Sequence, residues 1–272
     1  MRIARYESGG KISYGIVEGN SVTPIEGDLF GSKRPNGPAV ALGSVRLLAP
    51  VVPRMILATA LNYPSHLGNF TASPRPELFV KGLNTLSNPG DDVIVPADSG
   101  RVDYEGEMVA VIGKRAQKVS VADALDYVLG YTCGNDVSCR PWQRSDMQWF
   151  RGKSCDGHGP IGPWIATADE FDPTNMELRT ILNGKEVQHC NTGEMINSLA
   201  EIISFASQTC VLEPGDIIFS GTSGQPLQIN PGDVVDVVID GLGKLSNPIV
   251  ADPLPSTWQD LRADTRQPAA SR

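Results

Sequence analysis

The sequence predicts a mostly β protein, a mixed β roll or barrel with a few short helices, preceded by a small β-rich N-terminal unit. Three observations carry this. Short runs of β-branched and aromatic residues recur along the chain, each bounded by Gly, Pro, Asn or Asp. Leu178 to Cys190 reads as a hairpin, two alternating strands about Asn183-Gly184, the type I′ turn pair. Helical patterning is confined to two or three short stretches, so strands do not alternate with helices as a βαβ fold requires.

The bulk numbers suit a globular chain. At 272 residues, 40% hydrophobic and 20% charged, it has room for one large domain or a small one plus a large one. A formal net charge of −8 with no Lys/Arg run argues against nucleic acid or an anionic membrane as a partner. The cysteines are Cys133, Cys139, Cys155, Cys190 and Cys210, an odd set without a CxxC. A disulfide framework is not expected, a reducing compartment fits, and zinc is not expected, because no Cys/His pair is read at ligand spacing. The first residues lack an apolar signal core, and no run of about 18 apolar residues occurs. A soluble cytoplasmic protein is the expectation.

In order, residues 1–52 form the N-terminal unit, with strands expected at Ile3 to Tyr6, Ser13 to Val17, Ser21 to Ile25 and Val45 to Val52. It holds no chemical constellation and reads as an accessory domain. Residues 53–252 form the main domain, and 253–272 a polar, Pro-rich tail expected to fray. Met55 to Ala60 is a buried-strand candidate running into a polar surface loop that carries His66. That imidazole suits a general base near neutral pH, or is an exposed residue without a role. Glu77 to Lys81 reads as a strand. Ser120 with Asp123 suggests a capped helix continuing through Leu129 to Gly130, and a strand from Tyr131 places Asp136 at its end. Leu199 to Phe205 suggests a short helix after Asn197 or Ser198. Ser220 to Gly224 is a run of small residues whose backbone N–H groups and Thr222 hydroxyl suit a carboxylate.

The chemistry concentrates in Val102 to Gly113, which reads as one strand. Alternation puts Asp103, Glu105 and Glu107 on one face and Tyr104, Met108 and Ala110 on the other. Like charges two residues apart repel. A shared hard cation, Mg²⁺, Mn²⁺ or Ca²⁺, would remove that cost, and a third carboxylate from Asp136 could join it. A solvated acidic edge strand fits the same pattern. Lys153, among small residues in a glycine-spaced segment, suits either neutralisation of developing negative charge or a solvated loop.

The order of motifs resembles the fumarylacetoacetate hydrolase family over roughly residues 53 to 252. The matching stretches are Leu61-Asn62-Tyr63-x-x-His66, Phe79-x-Lys81, Asp103-Tyr104-Glu105-x-Glu107, Asn135-Asp136-Val137-Ser138-x-Arg140, Lys153-Ser154-x-Asp156, Gly221-Thr222 and Pro231-Gly232-Asp233. The N-terminal unit also looks like the small β domain preceding many bacterial members. The resemblance implies a β-rich catalytic roll, a homodimer, and Mg²⁺ or Mn²⁺, with Ca²⁺ able to substitute. It implies Glu105, Glu107 and Asp136 as metal carboxylates, filling three of about six oxygen positions. It implies His66 and Lys153 as catalytic residues, and Arg140, Gln143, Thr222 and Lys81 as substrate-binding residues. The implied substrate is a small 2-oxo acid with a second carbonyl, cleaved at a C–C bond through a stabilised enolate. One departure is visible. Family hydrolases commonly read His-x-x-Glu, and here Asn69 stands where Glu is expected. Asn cannot accept a proton as a carboxylate can. Isomerisation or decarboxylation of a 2-oxo acid or 2-hydroxy-dienedioate is therefore the alternative, unless another carboxylate such as Glu77 substitutes. A scaffold that only binds a small carboxylate is the third reading.

Overall fold

The structure is a computed structural model and describes residues 1–254, so most of the expected tail lies outside the described residues. The chain is mostly β, as its sequence predicts. Its main feature is a 13-stranded mixed sheet. In spatial order the path runs Lys33–Pro35, Ser21–Gly27, Lys11–Glu18, Arg2–Ser8, Gly159–Thr167, Val128–Asn135, Gly106–Ile112, Ile217–Phe219, Ile56–Ala60 and Glu77–Lys81. A second, five-stranded sheet orders Val93–Val95, Gly243–Ala251, Val234–Ile239, Glu177–Leu182 and Lys185–Asn191. The expected hairpin is the edge of this sheet, with Asn183 at φ 52° and Gly184 at φ 80° in its turn.

The N-terminal strands join the large sheet directly, because Arg2 and Ile3 pair with Ala166 and Ile165. Arg46, on the strand Arg46–Leu48, adds an ion pair to Asp91 at 2.8 Å.

The strand Gly106–Ile112 is central and buried along its whole length. Met108, Ala110 and Ile112 enter one apolar cluster with Val235, Val237 and Leu245 of the second sheet. Val109 and Val111 enter another, with Ile161, Ile165 and Phe219. Period-2 alternation thus feeds two cores. Among the described residues no helix is long and apolar enough to cross a membrane.

Two expectations about elements need correction. The capped helix after Ser120 is a single 3₁₀ turn, Ala124–Tyr127, followed at once by the strand Val128–Asn135. The Ser120 and Asp123 side chains do bond each other at 2.6 Å. Pairing on both flanks of the strand outweighs the local helical signal. The acidic strand is also not continuous. Val102–Asp103 pairs with Ser138–Cys139, the ladder lapses at Tyr104 and Glu105, and Gly106–Ile112 pairs with Val128–Asn135. Asn135 bridges the lapse, its Oδ1 accepting from the Glu105 backbone N–H at 2.9 Å. The helix after Ser198 forms as expected, over Leu199–Thr209, with a full capping box between Ser198 and Glu201.

Candidate metal and active site

Glu105, Glu107 and Asp136 converge, each offering an oxygen within 4.8 Å of the others. All three are buried, so the acidic face is not solvated. Glu105 and Glu107 come from the central strand and its lead-in. Asp136 follows the paired strand Val128–Asn135, and its N–H bonds the Glu105 carbonyl at 2.9 Å. Asp103, expected on the same face, is turned away by the lapse in the ladder. It accepts from Arg101 Nε at 2.7 Å and from Arg140 Nε at 2.8 Å.

Cations wrap the cluster. Lys153 Nζ donates to Glu105 Oε2 at 2.6 Å and to Asp136 Oδ2 at 2.7 Å. Burial alone would push this lysine down, yet Asp136 and Glu105 hold its ammonium above the usual range. It is therefore a fixed charge and no solvated loop residue. Its position depends on Gly152, where a Cβ would sit 2.8 Å from the backbone of Gln143. No other residue lets the turn Phe150–Lys153 pack so closely on the helix Arg140–Ser145. Lys81 is buried, donates to Asp136 Oδ1 at 2.6 Å and also bonds the Lys153 carbonyl. It supports the carboxylates from behind and does not line the cleft. Arg140 reaches Glu105 Oε1 at 2.6 Å and Gln143 Oε1 at 2.9 Å. Its guanidinium orders the site's own groups.

The carboxylates respond in opposite ways. Burial would raise Glu105, but Lys153, Arg140 and His66 hold it well below the usual range. Burial, then Asp136 and Glu105, push Glu107 well above it. Glu107 accepts one hydrogen bond, from the Gly221 N–H at 2.7 Å. Burial and the two neighbouring carboxylates favour its protonated form, and a divalent cation shared with those neighbours would favour the ionised one. Three hard oxygen donors at this spacing fit such a cation.

Above the cluster the cleft is lined by Thr59, Leu61, His66, Phe79, Gln143, Trp149 and Thr222. It opens into a vestibule edged by Asn69, Arg101, Arg140, Arg144 and Gln225. His66 ends the 3₁₀ turn Pro64–His66. Its Nδ1 lies 2.7 Å from the Gly224 carbonyl, which can only accept, so in the neutral ring the lone pair is on Nε2. Nε2 faces Glu105 Oε1 at 3.8 Å. Asn69 is exposed at the vestibule. Glu77 is exposed, accepts from Ser73 at 2.8 Å and pairs with Arg75, not with His66. Among the described residues Glu105 is the one carboxylate within ion-pair distance of this imidazole. Thr222 donates to the Gly106 carbonyl at 3.1 Å and accepts from Gln188 Nε2 at 2.8 Å.

Sequence reasoning missed several contributors. Gln188 is buried and holds both Thr222 and Gly106, yet nothing in its hairpin sequence marks it. Leu61 lines the cleft at φ 52°, a region a leucine rarely adopts. Asn62 was visible only as part of a motif. Its side chain fastens Asn197 and Ser220, tying the His66 loop to the segment that carries Thr222.

Residues 55–250 match the model of the fumarylacetoacetate (FAA) hydrolase C-terminal domain. The chain belongs to the fumarylacetoacetate hydrolase family. Residues 1–50 match the Rv2993c-like N-terminal model. Within the family, a mitochondrial oxaloacetate tautomerase of Xenopus laevis is 37% identical over 220 residues, covering 76% of this chain and 69% of that protein. The crystal structure of a 2-hydroxyhepta-2,4-diene-1,7-dioate isomerase from Mycobacterium marinum superposes with a TM-score of 0.87 at 36% identity, covering 93% of this chain and 99% of that one. A maleylpyruvate hydrolase from Sphingobium, solved with manganese and pyruvate, superposes at 0.78 with 30% identity, covering 92% and 99%. Members of this family are thus enzymes of more than one reaction type on one fold.

Proposed function

We propose that this chain is a divalent-metal-dependent tautomerase or double-bond isomerase of a 2-oxo dicarboxylic acid. One observation carries the reading. His66 presents its Nε2 to the cleft, and among the described residues the one carboxylate within ion-pair distance is Glu105, already committed to the acidic cluster. The residue three positions on is Asn69 rather than an acid. An imidazole without its own carboxylate is a weaker base, poorly suited to activating water. The C3 proton beside a polarised ketone is far more acidic than a proton of water, and a weaker base suffices for it.

Mg²⁺ or Mn²⁺ held by Glu105, Glu107 and Asp136 would polarise the 2-oxo group and stabilise enolate charge. The chain's own groups do the rest. His66 Nε2 takes the proton from C3 as the electron pair moves into the C2–C3 bond. Returning that proton to the 2-oxygen completes the enol, and the reverse path restores the ketone. Lys153, fixed by two carboxylates, adds positive charge near the developing enolate. Gln143 and Thr222 line the cleft and offer it polar side chains.

The charge balance supports a dianion. Asp103, Glu105, Glu107 and Asp136 are matched by Lys81, Arg101, Arg140 and Lys153, so a divalent cation leaves two positive charges for the substrate. Arg144 edges the vestibule with no ion pair among the described residues, and is suited to the far carboxylate. The test is to give the Mg²⁺- or Mn²⁺-loaded protein oxaloacetate and a 2-hydroxy-dienedioate in D₂O and follow both by proton NMR. Accelerated keto–enol exchange with deuterium entering C3, and no cleavage, is the expected result. Hydrolysis is the second reading, favoured by the 3.8 Å approach of Glu105 to His66. Pyruvate and acetate appearing from acetylpyruvate would establish it. Silence on all three substrates would leave a carboxylate-binding scaffold.

A further inference from the structure

A second cluster lies behind the first. Cys139, Cys155 and His158 each offer a donor atom within 4.8 Å of the other two. Cys139 and His158 are fully buried, and Cys155 is half-buried. The two Sγ atoms are 3.9 Å apart. Two thiolates on a tetrahedral Zn²⁺, each at about 2.3 Å, stand about 3.8 Å apart. Contrary to the expectation from sequence, Cys155 and His158 stand at a ligand spacing, three residues apart, and Gly157 at φ 73° makes the turn between them.

The histidine supplies an independent observation. His158 Nε2 lies 2.7 Å from the Ile94 carbonyl, which can only accept, so Nε2 carries the proton. That fixes the lone pair on Nδ1. Nδ1 is buried and has no hydrogen-bond partner. A backbone carbonyl that orients one ring nitrogen while the other is left bare is the arrangement of metal-binding histidines. A bare buried nitrogen is otherwise unfavourable, because it has lost its water and gained no partner.

We propose that Cys139, Cys155 and the Nδ1 of His158 form a zinc site, distinct from the carboxylate cluster. Its donors are soft where those of the first cluster are hard, so the two sites sort cations by chemistry. Two thiolates neutralise Zn²⁺, which removes the charge cost of burial. The half-buried flank at Cys155 leaves a fourth position for water. The site joins two segments that the first cluster depends on. Cys139 directly precedes Arg140, and Cys155 lies two residues after Lys153. Zinc would pin both together.

The test uses Co²⁺ as a spectroscopic stand-in for Zn²⁺, on the full chain kept reduced, with excess Mg²⁺ occupying the carboxylates. One equivalent of Co²⁺ is expected to produce a near-ultraviolet sulfur-to-cobalt charge-transfer band, lost when Zn²⁺ is added. The band should vanish in Cys139→Ser and in Cys155→Ser and persist in Cys210→Ser. Zn²⁺ should also slow alkylation of Cys155 at least tenfold in the unaltered protein, which tests the site even if the buried Cys139→Ser variant fails to fold. Absence of the band in folded, reduced protein would overturn the proposal, as would a band that survives both substitutions or alkylation unaffected by Zn²⁺.

Discussion

Glu107 and His66 have separable roles. Glu107→Gln removes a charge from the carboxylate cluster but keeps the Gly221 contact geometry. We expect Mn²⁺ affinity to fall by at least about 100-fold and turnover to fall with it, checked by calorimetric titration and by NMR turnover. His66→Ala should behave differently. It removes the proton carrier at the cleft, so kcat should fall about 10²–10⁴-fold while Mn²⁺ binding stays intact. Deuterium exchange at C3 undiminished in that variant would remove His66 from the mechanism.

Element packing sets where these side chains stand. The turn Phe150–Lys153 rests on the helix Arg140–Ser145 through the missing side chain of Gly152. Gly152→Ala forces the two apart, because the neighbouring atoms are backbone and cannot rotate away. Destabilisation of about 1–3 kcal/mol is expected from urea midpoints, with a disproportionate loss of activity as Lys153 and Gln143 shift. At the join with the N-terminal strands, burial pushes the Asp91 carboxyl up, but hydrogen bonds from Arg46 and Asn88 hold it below the ordinary aspartate value. A depressed folded pKa contributes stability above the unfolded value of about 3.9 and loses it as pH falls through the folded one. Asp91→Asn should therefore unfold at lower urea than the unaltered protein at pH 7, and the gap between them should narrow at pH 3.

For the whole molecule, cation binding and folding are linked, because the three carboxylates meet only in the folded chain. Mn²⁺ at 100 times its dissociation constant should stabilise the native state by about 2.7 kcal/mol, and chelation should reverse the gain. Scanning calorimetry would read this as a rise of several degrees. An unchanged melting temperature with Mn²⁺ would speak against the carboxylate cluster as a cation site.

Much of this is legible in the sequence. The alternation from Met108 to Ile112, the Asn183-Gly184 turn and the Ser198 cap are local signals, set by side-chain periodicity and backbone preference within a few residues. The spacing of Glu105 and Glu107 and the motif order pointed to the family and to the acidic cluster. Tertiary structure decided the rest, because those outcomes depend on pairing between distant segments. It broke the acidic strand at Tyr104 and sent Asp103 to two arginines. It cut the expected capped helix to a 3₁₀ turn that runs into a strand paired on both sides. It set Gln188 beneath Thr222, placed Lys81 behind Asp136, and brought Cys139 to within 3.9 Å of Cys155 across sixteen residues of sequence. The chain determined by itself which chemistries were available. Only the fold, by excluding water and setting distances between segments far apart in sequence, determined which of them meet.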